Sequence, residues 1–144
     1  MEKNPYVNAA TTTIRGVPVD LSKVDIGAYV IGGITDHITP WKSCHATARM
    51  FGDDTTFVLA NAGHLQSLIN PPGAPKAFFS SAPSRAADPD EWVRTAVRQE
   101  GSWWPHWRAW VQQRSGESIA APGKAGSRAH RPLCAAPGEY VMVK

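Results

Sequence analysis

The sequence predicts an α/β fold organised around a parallel sheet, and three observations lead there. Tyr29, Val30 and Ile31 form a continuous apolar run, with Ile34 following. Such a run suits a strand covered on both faces. Trp41, Cys44, Ala48 and Phe51 then recur at helical spacing along one face. Thr55 to Ala60 is a second run of β-branched and apolar residues, closed by the turn-like Asn61-Ala62-Gly63-His64. Strand, helix, strand in that order is a βαβ unit, whose strands are parallel.

Each element has its own local reason. Residues 1–24 are mostly polar, with the turn-like Gly16-Val17-Pro18, and read as a loop entering the fold. The first strand spans 27–34, where Gly32 and Gly33 permit close backbone approach at its end. Thr39-Pro40 reads as a helix start, with Thr39 as N-cap, and Gly52 as the residue that closes the helix. From 70 to 88 the chain is rich in Pro, Gly and Ala and reads as a long loop. Asp88-Pro89-Asp90-Glu91 opens a second helix, capped by Asp88 and running to about Arg98. A further short helix begins near Pro105 and carries Trp107, Trp110 and Val111. Beyond Ser115, Gly, Ala, Pro and basic residues predict irregular structure with a last apolar patch at Tyr140–Val143. The expected organisation is a domain over 1–115 and an irregular basic tail over 116–144.

Composition narrows the function classes. The 144 residues suffice for one modest domain, and 42% apolar with 19% charged residues is ordinary for a globular protein. No run of about 18 apolar residues exists, so no membrane span is expected. Met1 to Thr13 is polar and does not resemble a secretory signal. The net charge of +3 belongs to the tail: residues 114–144 hold five basic and two acidic side chains, while 1–113 are neutral. Without a clustered basic face, nucleic acid is not an expected partner. Cys44 and Cys134 match no zinc spacing and make no disulfide scaffold, which leaves a reducing cytoplasm as the default location.

Two residues stand out chemically. Asp36 lies two residues past the first strand and His64 four past the second. Reactive groups gather at the C-terminal ends of parallel strands. In the α/β-hydrolase arrangement the chain order is nucleophile, acid, histidine, and Asp36 and His64 fit the last two places. A histidine acting as a base needs one fixed tautomer, which a carboxylate accepting its ring N–H supplies. The plainer alternative is a capping Asp and a loop histidine. His37 follows the acid directly and reads as a surface or supporting histidine, with a role in orienting the site as the alternative. His45 and His106 have no ligand-spaced partners and read as structural, and His37 and His45 lack a third ligand, so neither a metal nor a cofactor is expected. The tryptophans at 103, 104, 107 and 110 read as core or interface, with an apolar substrate channel as the alternative.

The stretch Gly33-Ile34-Thr35-Asp36-His37-Ile38-Thr39-Pro40-Trp41 resembles the motif around the catalytic aspartate of polyhydroxyalkanoate synthases. Phe57 to Ser67 resembles the segment around their catalytic histidine, and Leu68-Ile69-Asn70-Pro71-Pro72-Gly73 continues it. Gly101-Ser102-Trp103-Trp104-Pro105-His106-Trp107 is similar to the family's tryptophan-rich segment. Val19 to Val24 precedes the first strand as it does there, and Arg131-Pro132-Leu133 with Ala136 to Val141 resembles the family's last residues. The resemblance implies the C-terminal part of an α/β-hydrolase-type catalytic domain: its last parallel strands plus helices, with an incomplete sheet. It implies an acyltransferase that polymerises hydroxyacyl-coenzyme A into polyester and releases coenzyme A, with Asp36 as acid and His64 as base. It also implies the cytoplasm and the surface of polyester granules as the place of action.

One departure is large. The family's nucleophilic cysteine sits in a Gly-x-Cys-x-Gly elbow upstream of the acid, and no such motif occurs here. Cys44 lies downstream of Asp36 on the apolar helix face and reads as a core residue. The isolated chain is therefore expected to be inactive. Sheet strands without their neighbours leave bare edges, so it is also expected to be poorly soluble, to self-associate as a homodimer, or to dock on the missing N-terminal segment. A fragment of another α/β-hydrolase (an esterase or depolymerase) and a non-catalytic module binding a synthase or granule are the competing readings.

Overall fold

A computed structural model of the protein describes residues 12–143. The loop expected over 1–11 and the terminal Lys144 lie outside the described residues. The chain divides into two compact units, 1–114 and 115–144.

The first described element corrects the loop expected before residue 24. β1 (Thr12–Ile14) and β2 (Val17–Val19) form an antiparallel hairpin. Its turn is Arg15-Gly16, not Gly16-Val17-Pro18, and both turn residues have positive φ, at 49° and 79°. That conformation matches the twist of two-residue hairpins. Pro18 is tolerated because a two-stranded ribbon has only edge strands. A 3-10 turn, Leu21–Lys23, follows, capped by Asp20.

β3 (Ala28–Gly33) and β4 (Thr55–Ala60) pair in parallel, from Ala28 opposite Thr55 to Gly33 opposite Ala60. The helix between them, α1 (Trp41–Ala48), completes the expected βαβ unit. Its boundaries differ from the sequence reading. Pro40 occupies the N-cap without any side-chain bond, and the helix closes at Arg49 instead of Gly52. Thr39 is not the cap because its hydroxyl is engaged elsewhere, as described below. Trp41, Cys44 and Ala48 face the core as expected, and so does His45, only 1% exposed.

The sheet then departs from the all-parallel expectation. After α2 (Gln66–Ile69), the segment read as a long loop contains β5 (Phe78–Pro83), antiparallel to β4. Ser80, Ser81, Ala82 and Pro83 are poor strand formers, and pairing with β4 overrides their local preference. α3 (Pro89–Thr95) starts where expected, with the Asp88 carboxylate accepting from the Asp90 N–H. It stops early, because Val97–Glu100 leave it as β6, antiparallel to β5. α4 (Trp104–Gln112) ends the unit. The result is a mixed sheet in the order β3-β4-β5-β6, with parallel pairing only between β3 and β4.

β4 runs through the middle, and its alternating side chains fill two cores. Phe57 and Leu59 pack with Ala48 and Trp92 on the face covered by α1 and α3. Val58 and Ala60 pack with Phe79 and Trp103 on the other. Each large apolar side chain buried this way contributes about 1.5–3 kcal/mol, as an upper estimate. In the second unit the only regular element among the described residues is a 3-10 turn, Tyr140–Met142. No helix among the described residues is long and apolar enough to cross a membrane.

Candidate functional site

Parallel pairing that ends at Gly33 opposite Ala60 brings the C-terminal ends of β3 and β4 to one rim. The two loops that leave this rim remain zipped together. The Ile34 N–H donates to the Ala60 carbonyl at 2.9 Å and the Thr35 N–H to the Ala62 carbonyl at 3.3 Å. Gly33 is required by that closeness, since a Cβ there would lie 2.5 Å from the Ala62 oxygen. The Asp36 N–H then turns back to the Gly33 carbonyl at 3.1 Å, which points the loop toward β4.

Asp36 and His64, 28 residues apart, meet at this rim. His64 Nδ1 lies 2.9 Å from Asp36 Oδ2. The Asp36 side chain is 5% exposed and that of His64 38%. Every acceptor position on the carboxylate is used. Oδ1 accepts from the Ile38 and Thr39 N–H groups, both at 2.9 Å, and Oδ2 accepts from the Thr39 hydroxyl at 2.6 Å as well as from His64. Burial pushes the Asp36 carboxyl up. The Thr39 hydroxyl and N–H, His64 and the Ile38 N–H together outweigh burial and hold it well below the usual carboxylate range. The stabilisation from these bonds is present above the ordinary carboxylate pKa and is lost as pH falls through the lowered one.

An ionised carboxylate only accepts hydrogen bonds, so the proton between the pair sits on His64 Nδ1. Nε2 then carries the lone pair, on a ring that is partly open to solvent. Support for His64 comes from below. The Ser67 hydroxyl donates to the His64 carbonyl at 3.3 Å, the Trp103 indole to the Ser67 carbonyl at 2.6 Å, and the Trp104 indole to the Leu68 carbonyl at 3.0 Å. Trp103 is thus buried, whereas Trp104 and Trp107 remain partly exposed.

The other candidates lie apart from this couple. Cys44 is half-buried against the Phe57 core, and its thiol points to the Thr39 carbonyl at 3.8 Å. Burial, and then the Asp36 charge, push that thiol up, so it stays protonated at neutral pH. Cys134 is exposed in the second unit. His45 is packed edge-on against Phe57, and His106 Nδ1 lies 2.7 Å from the Tyr29 hydroxyl on the α4 face. No group of His, Cys, Asp or Glu suited to a metal ion occurs among the described residues. The sequence reading missed Thr39 as a partner of Asp36. Its signal, a Thr before Pro, is the same as that of a helix cap.

No protein-family model matches the chain. Among curated proteins it is 44% identical, over 98% of its own length, to poly(3-hydroxyalkanoate) polymerase 2 of Ectopseudomonas oleovorans, of which it covers 25%. It is 43% identical over 97% of its length to poly(3-hydroxyalkanoate) polymerase 1 of the same organism, again covering 25%. Against the poly(3-hydroxyalkanoate) polymerase subunit PhaC of Cupriavidus necator the identity is 37% over 92% of this chain and 22% of that protein. The chain spans about a quarter of the length of the curated relatives it matches.

Proposed function

The chain belongs to the poly(3-hydroxyalkanoate) polymerase family, and from that premise we propose that it is the C-terminal, acid-and-histidine portion of such a polymerase, with an α/β-hydrolase-type site completed by a segment outside this chain. In this reading Asp36 and His64 are two members of a triad whose cysteine comes from that segment. The observation that carries it is the 2.9 Å Nδ1–Oδ2 bond, which leaves the lone pair on Nε2 of a partly exposed ring.

The chemistry follows from that lone pair. Nε2 takes the thiol proton of the incoming cysteine, and the thiolate attacks the carbonyl of a hydroxyacyl-coenzyme A thioester. The carbon–sulfur bond to coenzyme A breaks, and the imidazolium returns its proton to the departing thiolate. His64 then takes the hydroxyl proton of the next hydroxyacyl group. The resulting alkoxide attacks the acyl-cysteine, the carbon–sulfur bond to the cysteine breaks, and the imidazolium returns its proton to that thiolate, leaving the polyester one unit longer. Asp36 holds the tautomer and stabilises the imidazolium in each half-reaction. The substrate is a hydroxyacyl-coenzyme A, the product a polyester, and the place of action the cytoplasm at the granule surface. β3 lies at the end of the sheet with no partner on its outer side among the described residues. The completing segment, or a second copy, pairs there.

Alone, the chain is inactive in this reading, because its only helix-borne thiol is protonated and packed on the core. The test uses 3-hydroxybutyryl-coenzyme A and follows release of free coenzyme A. The purified chain releases none. Mixed with the remaining three quarters of a relative it restores release, and His64→Ala removes it again. Turnover by the chain alone that His64→Ala abolishes would refute the proposal. Co-purification with an intact polymerase, with no effect of His64→Ala on its activity, would favour a non-catalytic binding role.

A further inference from the structure

We infer that Thr39 is a positioning residue of this site: its hydroxyl and N–H lock the Asp36 carboxylate in the one orientation that keeps the His64 proton on Nδ1. The inference rests on the proposed Asp36–His64 couple for its catalytic consequence, while its structural consequence can be measured without turnover.

Thr39 grips both carboxylate oxygens. Its backbone N–H donates to Oδ1 at 2.9 Å and its hydroxyl to Oδ2 at 2.6 Å. The carboxylate is therefore fixed against rotation about its Cβ–Cγ bond by one residue with two donors. The same hydroxyl oxygen lies 3.4 Å from His64 Nδ1. A hydroxyl has one proton, and at 2.6 Å from a carboxylate that proton goes to Asp36. Toward His64 the oxygen presents only lone pairs. A ring nitrogen facing a carboxylate oxygen and a hydroxyl lone pair is stable only as N–H. The proton on Nδ1 is thus specified twice, by Asp36 directly and by the Thr39 oxygen behind it.

This role uses the group that the local sequence offers as a helix cap. α1 begins without a side-chain cap, and Pro40 holds the cap position with no bond. Removing the Thr39 hydroxyl therefore takes nothing from the helix. Thr39 itself is an exposed residue, so Thr39→Val leaves no cavity in the core.

The experiment compares wild type, Thr39→Ser, Thr39→Val and Thr39→Ala in the full chain. Carbon-13 carboxyl titration follows Asp36, and nitrogen-15 imidazole shifts report which nitrogen of neutral His64 carries the proton. Thr39→Val and Thr39→Ala raise the Asp36 midpoint by about one pH unit and turn a single Nδ1–H tautomer into a mixture. Thr39→Ser restores both readouts. In the chain reassembled with the rest of a relative, Thr39→Val lowers kcat on the order of tenfold with KM for the thioester unchanged. Unaltered Asp36 titration and an unaltered His64 tautomer in Thr39→Val and Thr39→Ala would overturn the inference. Altered spectra with no loss of kcat would leave Thr39 as the orienting residue and count instead against His64 as the base.

Discussion

On the proposed mechanism, Asp36→Asn lowers coenzyme A release by the reassembled polymerase about 10⁴-fold, with little change in stability. The size follows from where the donors around position 36 point. Oδ1 faces two backbone N–H groups, those of Ile38 and Thr39. The asparagine oxygen must take that place, because an NH₂ group there would meet two other donors. Its NH₂ then replaces Oδ2, facing the Thr39 hydroxyl and His64 Nδ1. Nδ1 must now accept, so the ring proton moves to Nε2 and the lone pair to which the proposed mechanism assigns the nucleophile's proton is gone. Nitrogen-15 shifts of His64 report the tautomer, and coenzyme A release reports the loss. A variant within tenfold of wild type would show that the carboxylate does not set the tautomer.

Trp92→Ala is expected to cost about 3–5 kcal/mol of stability, a large part of the 5–15 kcal/mol typical of a domain. The indole is 1% exposed. It meets Phe57 edge-on at a centroid distance of 4.7 Å and His45 at 5.7 Å, so its removal opens the centre of the core between α1, α3 and the sheet. The ring N–H also donates to the Pro83 carbonyl at 3.0 Å, tying α3 to the end of β5. Trp92→Phe keeps the ring but loses that bond, and falls between wild type and alanine. Urea unfolding followed by circular dichroism, with all three proteins prepared alike, checks the order. A loss under 1 kcal/mol for alanine would mean that this core is not what holds the sheet.

The parts of the fold legible in the sequence are those whose determinants lie close together in the chain. Tyr29-Val30-Ile31, the Trp41–Cys44–Ala48 face and Thr55–Ala60 each state their element locally, and the βαβ unit they form is present. Asp88 announces its helix by the same kind of local bond. β5 and β6 were not legible. Ser80 to Pro83 and Val97 to Glu100 hold no strand pattern of their own and become strands by pairing with a neighbour. The hairpin at Thr12–Val19 reads as loop in the sequence, because the polar composition of the segment masks its β-branched residues, and its turn lies one residue earlier than the Gly-Val-Pro cue.

The site divides along the same line. The sequence by itself determined which residue types stand just beyond two adjacent strand ends, because chain order and parallel pairing leave Asp36 and His64 at one rim. It also determined the family, through long motifs in order. Only the tertiary structure decided what each polar group bonds. Thr39 could cap a helix or hold a carboxylate, and the buried Asp36 carboxylate beside His64 claims the hydroxyl. His45 could face solvent or core, and Phe57 and Trp92 closing over it settle the matter. A hydroxyl or an imidazole suits several partners equally, and the choice falls to whichever partner the fold brings within about 3 Å.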